Sequence, residues 1–157
     1  MKTSSCTRVE PLLAALAFAL ALSGSARADD HSRTVGGYTV YLGIVPAEVV
    51  KGHKPGHPER QMHGGLPYRR GQQHIMVVIL ETTSGNRITD ARVVARVSET
   101  GLAPMQKPLE PMGIAGAMSF GNYFPMRGPG PYSIKVTFEL PAVNQKLETE
   151  FRYAMPR

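Results

Sequence analysis

The sequence has no tryptophan and a single cysteine, Cys6. A lone thiol closes no disulfide within the chain and builds no thiolate cage for zinc. Charge of one sign is also scarce. Lys and Arg number 18 against 12 Asp and Glu, and Arg69-Arg70 is the only adjacent basic pair. No stretch therefore has the basic density that tracks phosphates, which argues against a nucleic-acid partner. The sequence contains no G-x-S-x-G elbow, no H-E-x-x-H helix motif and no phosphate-cradling glycine loop, and an enzyme is not expected.

Long apolar runs are missing too. The amino-terminal run Leu12 to Leu22 is 11 residues, short of the roughly 20 that a helix needs to cross a bilayer. Lys2 and Arg8 precede it, and Ala26-Arg27-Ala28 follows it. A basic region, a short apolar core and an A-x-A step make a secretory signal. Residues 1–28 are thus expected to be removed before Asp29, delivering the protein to the periplasm with no span left in the membrane. Cys6 leaves with the signal. Residues 29–157 suit one domain, held by packing and by whatever metal or subunit it binds.

What remains is β-like, with Gly and Pro punctuation and little helical periodicity. Thr34 to Val45 is expected to open the domain as one strand. His74 to Glu81 (HIMVVILE) is a continuous apolar run suited to the centre of a sandwich, with Met76 read as core. Thr82 to Asn86 supplies turn residues, so this strand and the next are expected to pair as a hairpin. In Arg92 to Ser98, Val93, Ala95 and Val97 alternate with Arg92, Val94 and Arg96. Tyr132, Ile134, Val136, Phe138 and Leu140 share one face of a late strand while Ser133, Lys135, Thr137 and Glu139 share the other. Leu147, Thr149, Phe151 and Tyr153 repeat that pattern after a short connection, giving a terminal hairpin. The expectation is an all-β, immunoglobulin-like sandwich of about seven strands, with a Greek-key barrel as the alternative. Two segments fit no ordinary strand: the polar stretch His53 to Gly65, and Met105 to Met126 with its four methionines.

These two segments carry the candidate chemistry. His53, His57 and His63 fall close together beside Glu59, and in an extended chain His57, Glu59 and His63 point to one side. The same residues equally suit a solvated loop. Thioether sulfur is soft and favours Cu(I), whereas imidazole serves both copper oxidation states, so a mixed His, Glu and Met site points to copper. Met112, Met118 and Met126 are the thioether candidates, against the alternative that each fills a gap in the core. Ser119 has no partner in the sequence that would make it a nucleophile.

Three fragments resemble the periplasmic iron-transport accessory proteins found beside high-affinity ferrous iron permeases. They are His57-Pro58-Glu59 with His63 four residues on, Met112 placed before the Phe120-Gly121 step, and Met126-Arg127-Gly128-Pro129-Gly130-Pro131-Tyr132. The resemblance implies a dimeric immunoglobulin-like copper binder with His57, Glu59 and Met112 at the metal, iron or manganese as further candidate ions, and an inner-membrane iron permease as partner. Two departures stand out. Ser119 occupies the place of a ligand histidine, with Met118 as a stand-in donor, and the connection Pro141 to Lys146 lacks the insertion that carries another. The competing expectation is a metal-free envelope adaptor whose edge strands pair with a partner.

Overall fold

The computed structural model describes residues 31–52, 65, 67, 70–114 and 116–156. Among the described residues eight strands carry the fold: β1 (Ser32–Val35), β2 (Tyr38–Pro46), β3 (Gln72–Glu81), β4 (Arg92–Glu99), β5 (Met105–Ile114), β6 (Ala117–Pro125), β7 (Tyr132–Leu140) and β8 (Gln145–Tyr153). A short helix α1 (Ala47–Lys51) follows β2, and a single 3-10 turn (Pro141–Val143) lies between β7 and β8. Among the described residues no helix is long and apolar enough to cross a membrane.

All described pairings are antiparallel, and the strand order is β1-β2-β3-β6-β5-β4-β7-β8. The order bends into two layers at β5. Met105 to Leu109 pair with β4, whereas Glu110 to Ile114 pair with β6. Each half of β5 thus has a ladder on one side only, which is how the strand accommodates Pro108 and Pro111. Side chains attach at the bend: Asn122 Nδ2 donates to the Pro108 carbonyl at 2.9 Å, and Lys107 Nζ to the Tyr123 carbonyl at 2.6 Å.

The core lies between the layers. Val40, Ile75, Val77, Ile79, Phe120 and Phe124 from one layer meet Val93, Ala95, Ile134, Val136, Phe138 and Phe151 from the other in one contiguous apolar cluster. Strand β7 shows the causal pattern most plainly, since every second residue from Tyr132 to Leu140 is buried while those between are half-exposed. Period-two alternation with one wet face has no other low-energy arrangement in a sandwich.

The two terminal strands nearly close the structure. Arg33 on β1 lies over the Phe151 ring of β8, 5.3 Å from its centroid. A Cβ at Gly36, which follows β1 with φ +57°, would lie 2.7 Å from the Leu147 methyls of β8. Glycine therefore lets the two outer strands approach, both by its backbone conformation and by its lack of a side chain.

The fragment before β7 forms a corner. Tyr132 Oη donates to the Gly128 carbonyl at 2.8 Å and accepts from the Gly128 N–H at 2.9 Å. This anchoring of a strand start by a tyrosine bound to backbone a few residues upstream is typical of immunoglobulin-like sandwiches. Burial pushes the Tyr132 phenol above its ordinary pKa, with the Gly128 backbone bond acting in the opposite direction and Glu99 adding to the rise.

The all-β sandwich expected from the sequence is what forms, and β4, β7 and β8 fall where alternation put them. Three details differ. The opening strand breaks at Gly36-Gly37 into β1 and β2, which raises the count to eight. Strands β3 and β4 do not form a hairpin: β3 pairs with β2 and β6, while β4 pairs with β5 and β7 in the opposite layer. Met105 to Met126, which fitted no ordinary strand, supplies β5 and β6.

Candidate metal centre

Strand β3 has two faces, and only one belongs to the core. Ile75, Val77 and Ile79 point between the layers, so His74, Met76 and Val78 point to the outside of the first layer. Across the β3–β6 ladder His74 stands opposite Tyr123 and Met76 opposite Gly121. Across the β5–β6 ladder Glu110 stands opposite Gly121 and Met112 opposite Ser119. Residues directly opposite in a ladder share a face, so all seven side-chain positions lie on one outer surface of three adjacent strands. Met76 is half-buried there and is not part of the core, contrary to its assignment from the apolar run.

This outer surface is not wet at its centre. His74 and Met112 are each 1 % exposed, and Tyr123 and Ser119 are buried. The imidazole of His74 stacks on the Tyr123 ring with centroids 4.7 Å apart and planes 30° from parallel, which sets the direction of its nitrogens. Met112 stands outside the contiguous apolar core although it is one of the most deeply buried side chains.

Gly121 is the floor of the arrangement. A Cβ there would lie 2.8 Å from Met112 Sδ, 3.0 Å from His74 Nε2 and 3.0 Å from the Ile75 carbonyl oxygen. A sulfur from β5 and a ring nitrogen from β3 therefore converge over a residue with no side chain. By the sum of those two distances the donors are at most about 6 Å apart, and a cation with bonds of ~2.0–2.3 Å to each would bring them to about 4 Å. The unbranched thioether has the rotatable bonds to take up the difference. An imidazole with a thioether suits a soft cation such as Cu(I) and offers little to Mg²⁺ or Ca²⁺. Among the described residues no three His, Cys, Asp or Glu side chains gather into a harder site.

The residues named from the sequence divide as follows. His57, Glu59 and His63 lie outside the described residues. Met112 is on the outer surface. Met118 pairs with Gly113, so the register puts it on the opposite face from Met112 and Ser119, and the structure does not bring it to Met112. Met126 is part of the apolar core. His74 is the functional residue that the apolar run His74 to Glu81 conceals; its signal is its parity with Met76, one step out of phase with Ile75, Val77 and Ile79.

The fold and this outer surface define an antiparallel, nearly closed β-sandwich with sulfur and imidazole donors on one layer. No family model and no curated protein sequence matches the chain. Among solved structures it is similar to a copper-bound Glu-to-Gln variant of FetP from uropathogenic Escherichia coli, with a TM-score of 0.60 and 14% identity over 78% of this chain and 92% of that one. It is also similar to a DUF4426 family protein of Pseudomonas aeruginosa, with a TM-score of 0.59 and 17% identity over 79% and 92% of the two chains. A copper-bound Glu-to-Gln variant of Campylobacter jejuni P19 gives 0.57 and 13% over 80% and 96%. At these identities the likeness is one of fold.

Proposed function

We propose that this chain is an exported copper-binding protein of the periplasm that serves iron uptake beside an inner-membrane iron permease, as a homodimer and without turnover of its own. The observation that carries the reading is Met112, a thioether buried on the outer surface of the sheet and outside the hydrophobic core, with an imidazole nitrogen beside it. A methionine recruited only for packing belongs with the apolar cluster, as Met126 does. The two copper-bound neighbours of the same fold support copper as the ion, and the donor pair favours it over iron or manganese. His57 and Glu59 are further proposed ligands by their resemblance to the family's fragments.

The metal-free adaptor is the weaker reading. It needs only an open strand side to which a partner strand adds, such as the unladdered side of β5, but it gives no role to Met112, a thioether buried outside the apolar core. Metal analysis of protein purified from the periplasm tests the proposal, and about one copper per chain is expected. Protein that carries none, and takes up none on titration with Cu(I) or Cu(II), defeats it. Intact mass of the same sample should correspond to a chain beginning at Asp29.

A further inference from the structure

Resting on the copper reading, we propose that His74 supplies a metal-ligating imidazole from β3, in place of the one that the resembled family carries where this chain has Ser119. Ser119 stands directly opposite Met112, so a histidine at that position would reach the thioether from the neighbouring strand. The hydroxyl of Ser119 is a harder and weaker donor for a soft ion. His74 reaches the same thioether from the far side of Gly121, because the glycine between them leaves the sheet surface open: its missing Cβ is the point that Nε2 and Sδ both approach to 3.0 Å or less.

Two features suit His74 to this task. Its ring is held by the Tyr123 stack, which limits the imidazole to a narrow set of orientations and reduces the entropy lost on binding. The nitrogen that faces Met112 is Nε2, the more accessible of the two ring nitrogens and a common metal donor. Met76 shares this face, but its Cε lies 3.4 Å from where a Cβ of Gly43 on β2 would stand, so its side chain leans away from the pair. The donor pair gathered over β6 is thus one imidazole with one thioether, and it favours Cu(I) over Cu(II) and over Zn²⁺. The ligands span β3 and β5 across β6, so the bound form ties together three strands.

The experiment separates this assignment from the copper reading beneath it. Wild-type protein labelled with 15N-histidine is titrated with Ag(I), a redox-inert stand-in for Cu(I), and the imidazole resonances are followed. His74→Gln identifies its own signal by loss. The Nε2 resonance of His74 is expected to be displaced as one equivalent of Ag(I) is added. In competition with a chromophoric Cu(I) chelator, His74→Gln and Met112→Leu are each expected to weaken Cu(I) binding by roughly tenfold or more, since even groups that only orient a ligand are worth ~10–100-fold. A His74 resonance that stays in place while wild-type protein binds Cu(I) and Ag(I) tightly overturns the role of His74 and leaves the copper reading standing. Wild-type protein with no affinity for either ion removes both. The wild-type titration decides the matter even if His74→Gln folds poorly.

Discussion

Replacing Gly121 with alanine tests the cradle by filling it. The added methyl would meet Met112 Sδ at 2.8 Å and the Ile75 carbonyl oxygen at 3.0 Å, with His74 Nε2 also at 3.0 Å. Two of these neighbours are side-chain ends, but the carbonyl is backbone in a central strand and does not yield cheaply. Overpacking of this kind costs about 1–3 kcal/mol. Alanine returns roughly 0.5–1 kcal/mol by restricting the unfolded chain. The net expectation is a loss of ~1–2 kcal/mol, or a fall in melting temperature of about 4–10 °C for a domain of this size. Cu(I) affinity should fall as well, since the methyl separates the two donors. The stability cost should be coupled to the sulfur. Met112→Ala in wild type removes a buried side chain at about 2–5 kcal/mol, but in the Gly121→Ala background the new methyl occupies part of the vacated space and the same change should cost less. Urea denaturation of the wild type, both single variants and the double variant gives the coupling energy. Additive effects, or a Gly121→Ala protein as stable as wild type with unaltered Cu(I) binding, would refute the cradle.

Tyr132→Phe deletes both hydrogen bonds to Gly128, whose backbone groups are half-buried, so a loss of ~1–2 kcal/mol is expected in the same denaturation assay. Ser119→His places an imidazole opposite Met112 and should strengthen Cu(II) binding, measured by titration under oxidising conditions; no change would show that position 119 does not face the ion. Gly36→Ala adds a methyl 2.7 Å from Leu147 at a left-handed backbone position, and a loss of about 1–3 kcal/mol in thermal unfolding is expected from strain and contact together.

How far the sequence could be read depends on which surfaces water touches. Strands β4, β7 and β8 were legible because one face of each meets solvent, so charge marks the outside. In β3 both faces are largely buried, and apolarity at Met76 and Val78 carried no sign of which side faced the core. Strand parity did hold that information, since His74 and Met76 are in phase with each other and out of phase with Ile75 and Val77. The β3–β4 hairpin failed for a topological reason: the turn at Thr82 to Asn86 is real, but the chain crosses it to the other layer. Strand β5 was hidden by Pro108 and Pro111, which exclude a strand paired on both sides along its length and are compatible with one that changes partners midway. Met112 was found through its chemistry and the resembling fragments; its convergence with His74 depends on β6 lying between β3 and β5, an order that local pattern does not encode.

The contact between β1 and β8 has a consequence for the ends of the domain. Gly36 lies beside Leu147 and Arg33 beside Phe151, so the two strands run in opposite directions and Ser32, where the first begins, falls near Tyr153, where the last ends. A short glycine-rich linker would then join these points, and new termini opened in the exposed turn around Ser84 would give a circular permutant with every ladder intact. The same proximity means that a tether added before Ser32 or after Tyr153 would leave from one corner of the molecule, so either kind of fusion would present the outer surface of β3, β6 and β5 to its surroundings in the same orientation.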